Sequence, residues 1–380
     1  MCNFTQDEKP TTKKPKADMP YAEGIYFDMP EDEYHKIPYF SRSGADEILF
    51  SAEQFWENSP MNPDRKEKET NDAMDLGSAI HCMLLEPERF KSLYAKYPTV
   101  SDYKGKNILK TSEDLKTFLD LVGQKKTGKK QDLINRAVEY LDPRIDVIWD
   151  NEIKTFLEEV AESGKRILSD DHTEILTGIE DAIKRRKKMP EILENTRSEV
   201  VIIWKDEETG IMCKCMIDAV RPEAIGEVKS FSVKNYNIPL EETMLNDIRY
   251  RKYNHQFYVY SEALKTIIKK INTGKAEVFG DVDESWLKEF LKTPNKQFFI
   301  MFFRTQAPYQ CKSYELERSV MPDATANTYY EMGQMMWKAA IKKLQDHYTR
   351  FGTSRWVDED EVVTLTDEHI PSIVYQSTGF

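Results

Sequence analysis

Three observations predict a mixed α/β layer fold for this 380-residue chain, with a sheet of mixed strand direction flanked by helices. Residues 198–231 read as three consecutive strands separated by short Gly- or Pro-bearing turns. Apolar residues on either side of that stretch recur at helical spacing. The strongest apolar run, QFFIMFF at 297–303, has strand length and falls well short of a membrane span. With 40% hydrophobic and 32% charged residues, the chain has the composition of a globular protein with one large core, or one core and a small module.

In chain order, residues 1–20 lack the apolar centre of a signal peptide and are expected to form a mobile polar arm. Between 21 and 70, Pro30, Pro38, Pro60 and Pro63 limit helices to short pieces. Ser41 or Ser43 is placed to cap a helix running to about Phe55. Leu76, Ile80, Met83 and Leu84 repeat with helical period until Pro87 stops the run. Residues 152–169 and 170–193 read as two amphipathic helices, and 198–206, 211–220 and 224–231 as the three strands. A single long helix is expected over 246–271, a strand pair over 297–305 and 310–318 around Ala307-Pro308, and a final helix from about Asp323 to Arg350.

Net charge is −12, which disfavours nucleic-acid binding by bulk electrostatics. The positive charge is nevertheless clustered, in GQKKTGKK (123–130), KRRKK (184–188) and RYRK (249–252). Such runs are usually solvated faces; three of them in an acidic chain make that account less comfortable. Cysteines 2, 82, 213, 215 and 311 form no CxxC pair, which argues against a zinc ribbon and for a reducing cytoplasm.

The stretch MIDAVRPEAIGEVKS (216–230) puts charged side chains where strand faces should be apolar. Period-two alternation places Glu227 and Lys229 on one face, and a turn can bring Asp218 opposite Glu227. One reading is a structural ion-pair cluster. The other is a divalent cation site, in which Asp218, Glu227 and the Val228 carbonyl supply oxygens and Lys229 orients or deprotonates a water. Gln256 and Tyr260, four apart, share a helix face, although on spacing alone Tyr260 is more readily plain core. His81 is the polar member of an apolar helix, and a lone histidine there is more often a satisfied core residue than a ligand. Glu199 opens the strand before Asp218 and is equally a simple strand-end charge.

These stretches, together with YHKIPYFSRSGADEI, DLGSAIHCMLLEPERF and HQFYVYSEAL in that order, resemble the PD-(D/E)XK nuclease superfamily. Within it the pattern looks like the exonuclease VIII (RecE-type) branch, related more distantly to lambda exonuclease. The resemblance runs through roughly 21–98 and 152–380 and implies a restriction-endonuclease-like core. It implies Asp218 and Glu227 as Mg²⁺ ligands (Mn²⁺ a possible substitute), with His81 beside the metal and Lys229 as catalytic lysine. Glu199 becomes a cleft acid, and Gln256 with Tyr260 a QxxxY brace. Such enzymes degrade one strand of duplex DNA from its 5′ end, form rings, and work beside a single-strand annealing (RecT-type) protein in phage-type recombination. Ser41, Arg42 and Ser43 are then candidates to hold a 5′-phosphate at a helix N-terminus, where N-capping explains the serines equally well.

Residues 105–145 interrupt that pattern, between nuclease segments 21–104 and 146–380. Leu115, Phe118, Leu119 and Val122 form one short apolar face and Leu133, Ile134 and Ala137 another, with a basic turn between them. This resembles a SAP module, a small helical DNA-binding unit, and implies that Lys125, Lys126, Lys129 and Lys130 touch the duplex backbone.

Overall fold

The computed structural model describes residues 21–66, 71–317 and 328–358. The expected N-terminal arm, the start of the expected final helix and the closing tail lie outside the described residues.

The first third is made of short elements: β1 (Gly24–Tyr26), α1 (Glu31–Lys36), β2 (Phe40–Ser41), α2 (Arg42–Phe50) and α3 (Ala52–Asn58), then α4 (Asp72–Leu85), α5 (Pro87–Leu93) and β3 (Tyr94–Lys96). The helix expected from Ser41 to Phe55 is broken at Ser51, because the Ser51 hydroxyl accepts the Gln54 N–H and caps α3, just as Ser41 caps α2. Next come β4 (Asn107–Leu109), α6 (Ser112–Leu121), α7 (Lys130–Ala137) and β5 (Asp146–Ile148). β4 and β5 pair in parallel and close a separate small core of Leu109, Leu115, Phe118, Leu119, Leu133, Ile134, Ala137 and Ile148.

α8 (Trp149–Ser163) ends at Gly164, whose φ of 69° is the left-handed turn that glycine tolerates. Residues expected to prolong that helix instead form β6 (Arg166–Leu168), paired with β3. α9 (Asp170–Lys184) and α10 (Lys188–Leu193) replace the single helix expected over 170–193. The three predicted strands follow as β7 (Arg197–Lys205), β8 (Met212–Val220) and β9 (Ala224–Phe231). The helix expected over 246–271 is two, α11 (Leu240–Tyr250) and α12 (Tyr253–Asn272), separated where Lys252 adopts φ 55°. β10 (Glu277–Phe279), α13 (Glu284–Lys292), β11 (Gln297–Arg304), β12 (Cys311–Leu316) and α14 (Tyr329–Phe351) complete the described chain.

The main sheet has the order β10-β1-β7-β8-β9-β11-β12, with β2 attached to β8. β7 is buried on both faces, which is why it reads as a continuous apolar run. Val200, Ile202 and Trp204 pack toward α12 and α14; Val201 and Ile203 pack with Tyr26, Tyr34 and Phe279. β9 runs parallel to β11 over eight residue pairs, from Ala224↔Gln297 to Phe231↔Arg304. On the far side Ala79, Ile80 and Met83 of α4 and Leu176 and Ile179 of α9 cover Val228, Met301 and Phe303. Mixed strand direction with helices on both faces agrees with the predicted fold class. No helix among the described residues is long and apolar enough to cross a membrane.

β8 and β9 pair at only two rungs, Ala219↔Gly226 and Val220↔Ile225, and then separate. The opening between them lies in mid-sheet, with α12 on one side and α4 on the other.

α12 is held by α14 through close contact at Gly333, where an added Cβ would lie 2.1 Å from the Asn254 carbonyl oxygen. Gly333→Ala should therefore lower the unfolding free energy by ~1–3 kcal/mol in urea denaturation. Gly77→Ala, where a Cβ meets nothing within 4 Å, should be neutral or raise it by up to about 1 kcal/mol. Equal stability of the two variants would contradict this packing.

Candidate active site

Asp218 sits where β8 leaves β9, and its Oδ2 accepts the Val228 N–H at 2.8 Å. The carboxylate thereby satisfies a backbone donor that the shortened ladder leaves unpaired. On the other side of β8 the ladder pairs Ser198↔Ala219 and Val200↔Ile217 but skips the rung between, where Glu199 lies opposite Asp218 with φ 50°. A non-glycine residue in that region carries backbone strain of order 1–3 kcal/mol, and such strain concentrates at functional sites.

Along β9 the alternation sends Val228 into the α4–α9 core, while Glu227 and Lys229 face the α12 side. Glu227 is buried, its Oε1 pairs with Lys229 Nζ at 2.5 Å, and its Oε2 is buried with no hydrogen-bond partner. Lys229 Nζ also lies 5.7 Å from the centre of the Tyr253 ring. From α4, His81 Nε2 reaches the Val228 carbonyl oxygen at 3.0 Å, and its Nδ1 stands 3.7 Å from Asp218 Oδ2. On α12, Gln256 Nε2 donates to the Tyr260 hydroxyl at 2.8 Å, and that hydroxyl donates to the Met216 carbonyl at 2.8 Å, two residues before Asp218. Asp218, Glu227, Lys229, His81, Gln256 and Tyr260 thus converge on the opening between β8 and β9.

Charge is unevenly satisfied there. Burial, then the neighbouring Glu227, pushes the Asp218 carboxyl up to about 6, against the opposing pull of His81, Lys229 and the Val228 N–H. Burial works against the Lys229 ammonium, but Glu227 and Asp218 outweigh it and hold the lysine above its usual range. In the metal-free protein Lys229 is therefore favoured as an ammonium, suited to orienting or neutralising oxygen. Burial together with the same two acids keeps the Tyr260 phenol protonated and donating.

Among the described residues no three His, Cys, Asp or Glu side chains are gathered closely enough to hold an ion by themselves. The fit to a hard cation rests instead on two carboxylates and a peptide carbonyl, the donor types Mg²⁺ takes alongside water. Two features of the site suit such an ion: the orphaned, buried Glu227 Oε2, and an Asp218 whose charge is opposed by a second acid. His81 touches both donor strands, but its Nε2 is engaged by the Val228 carbonyl, which makes it an orienting group as placed.

The other predicted residues are less free than the sequence implies. Glu199 turns to Arg89 of α5 at 3.4 Å, and burial, then Glu86, raises its carboxyl. Ser41 caps α2 by accepting the Gly44 N–H, with Ser43 Oγ 3.0 Å away. Arg42 is already committed to Asp46 at 3.0 Å and to the Arg251 carbonyl at 2.7 Å. In the basic turn, Lys126 pairs with Asp120 at 2.8 Å and Lys130 with Asp150 at 2.7 Å, leaving Lys125 and Lys129 exposed. Sequence reasoning missed Arg89, which pairs with Glu199, and Glu86, which holds Arg89 at 2.6 Å; their spacing of three around Pro87 was the available signal.

Residues 51–279 match a family described as "PDDEXK-like domain of unknown function (DUF3799)". That span contains His81, Glu199, Asp218, Glu227, Lys229, Gln256 and Tyr260. No curated protein matches the chain. Among solved structures it is similar to a "Putative exonuclease" from Eubacterium rectale, at 14% identity and a TM-score of 0.44, over 93% of this chain and 97% of that one.

Because Asp218 holds its proton more tightly in the folded protein (about 6) than at its ordinary value of 3.8, its contribution to metal-free stability is complete at low pH and is lost as pH rises through 6. Asp218→Asn keeps an acceptor for the Val228 N–H and removes the charge. Without metal at about pH 8 it should be more stable than wild type by ~1–3 kcal/mol. An unchanged or lower thermal midpoint would contradict the site as described.

Proposed function

The chain belongs to this PDDEXK-like family, in the PD-(D/E)XK superfamily, and from that premise we propose that it is a metal-dependent deoxyribonuclease of the RecE type, degrading double-stranded DNA from its ends. One observation carries the proposal: Asp218, Glu227 and Lys229 meet at the place where two central strands separate.

Asp218, Glu227 and the Val228 carbonyl would hold the cation, Mg²⁺ or Mn²⁺. Bound there, it supplies Lewis-acid stabilisation for charge building on a phosphate oxygen and eases formation of the hydroxide nucleophile. Lys229, held as an ammonium, places positive charge against a phosphate oxygen or orients the attacking water. The ion pair with Glu227 restrains the lysine, and the Tyr253 ring lies 5.7 Å from its ammonium. His81 holds the Val228 carbonyl, while Gln256 and Tyr260 pin β8 through Met216, so both strands keep their positions relative to α12.

We further propose attack from the 5′ end leaving 3′ overhangs, a ring-shaped homo-oligomer, and a single-strand annealing partner. An acidic exterior suits a ring that concentrates positive potential in its channel and repels DNA elsewhere. Residues 105–145 are proposed as the SAP-like insertion, contacting the duplex backbone through its basic turn. Ser41 and Ser43 remain the candidates for a 5′-phosphate.

On end-labelled linear duplex with Mg²⁺, Lys229→Ala should lower the cleavage rate by at least about 100-fold, with duplex affinity in Ca²⁺ retained. Duplex with both 5′ ends blocked should persist; rapid cutting of it would point to an endonuclease, and wild-type rates in Lys229→Ala would remove the lysine's role. The module is tested separately. Replacing Lys125 and Lys129 together by Ala should flatten the salt dependence of duplex binding by about two units of slope, and an unchanged slope would exclude the basic turn from the interface.

A further inference from the structure

Among the described residues, three buried lysine or arginine side chains outside the candidate active site differ in how they are satisfied. Lys214 donates to the Tyr34 and Ile37 carbonyls, both at 2.7 Å, and Lys296 to the Pro222 and Phe290 carbonyls at 2.5 and 2.6 Å. Each fastens one segment to another and needs no further explanation. Arg304 is different. It is 6% exposed, and its guanidinium meets only neutral oxygens, Gln310 Oε1 at 2.7 Å and the Tyr236 hydroxyl at 3.1 Å. Its Nε is buried without a partner, and among the described residues no carboxylate pairs with it. A permanently charged, under-satisfied guanidinium is costly to keep in a fold unless an anion uses it.

Its position suggests which anion. The β9–β11 register sets Lys229 opposite Phe302 and Phe231 opposite Arg304, so Arg304 shares the Lys229 face, one side-chain step further along. Strand geometry puts the two Cα atoms on the order of 8 Å apart. Tyr236, on the loop that leaves β9, lies over the guanidinium with its ring centre 5.6 Å away, yet is 73% exposed to solvent. The loop itself is tied down by the Val233 N–H to Gln306 Oε1 at 2.8 Å. A phosphate-ready fork beneath an exposed aromatic ring is the combination that holds one nucleotide of a single strand, charge on the phosphate and stacking on the base.

We propose that Arg304 and Tyr236 form a nucleotide subsite beside the candidate active site. Arg304 takes a phosphate flanking the scissile one, and Tyr236 swings from the guanidinium to stack on the attached base. This rests on the nuclease reading above and names how its substrate strand is held.

The test is anisotropy of the full chain with a labelled duplex bearing a short single-strand end, in Ca²⁺, over a range of salt. Arg304→Gln should weaken binding about tenfold and lower the salt slope by about one. Tyr236→Ala, at a position 73% exposed, should weaken binding by about tenfold with the slope unchanged, its thermal midpoint being read alongside. Arg304→Met should melt no lower than wild type, because a buried unpaired charge is removed. Wild-type affinity and slope in both Arg304→Gln and Tyr236→Ala would overturn the subsite and leave the nuclease reading standing, as would a marked fall in the Arg304→Met melting point with DNA binding intact. If Arg304→Gln fails to fold, Tyr236→Ala decides alone. A wild-type chain that binds no DNA overturns both.

Discussion

The candidate site depends on one substitution of bonding partner: Asp218 accepts the Val228 N–H where the β8–β9 ladder stops. A hairpin that zipped fully would bury that donor against a backbone carbonyl and close the mid-sheet opening. A hairpin that parted without the carboxylate would leave a buried amide unpaired, at a cost of about 1–3 kcal/mol. The side chain resolves the conflict and in doing so fixes a negative charge at the fork. Glu227 is brought to the same place by its neighbour in sequence, so two acids share a poorly solvated space with one ammonium.

That imbalance is maintained by the surrounding packing. β9 is gripped along its whole length by β11, and Val228 is locked among α4 and α9 side chains, so the strand cannot rotate to carry Glu227 into water. α12, pressed down by α14 at Gly333, holds Tyr260 on the Met216 carbonyl and keeps β8 from moving the other way. The strained Glu199 belongs to the same economy of constraint, since a regular conformation there would restore the rung opposite Asp218. A fold under these constraints tolerates like charges it would otherwise neutralise, and a divalent cation is the species that removes the conflict.

Much of this was legible in the sequence where the signal is local. The β-branched run of β7 and the short turns after it announced three strands, and spacing alone put Glu227 and Lys229 on one face. What failed to show were interruptions that leave periodicity intact. Ser51, Gly164 and Lys252 each break a helix whose apolar pattern continues past the break, through a hydroxyl cap in the first case and left-handed backbone in the other two. Long-range pairings were equally silent. Nothing near Lys126 or Lys130 reveals that Asp120 and Asp150 fold back to neutralise them, and the commitment of Arg42 to the Arg251 carbonyl spans 209 residues.

Those pairings bear on how an acidic chain could engage DNA at all. Of the clustered cations, the ones answered by acids are structural, and a duplex would have to outcompete a partner held at hydrogen-bond distance. Cations with no acid paired to the side chain, among the described residues, include Lys125 and Lys129 on the small core, Lys187 and Lys188 after α9, and the buried Arg304 beside the fork, the three groups lying on separate elements. Recognition on this basis depends on where charge is left over and very little on net charge. A surface with few unanswered cations binds weakly and without sequence preference except where backbone geometry brings several phosphates into register with them. Affinity built this way would favour a strand arrangement that brings phosphates onto those cations over duplex DNA lying anywhere on the molecule.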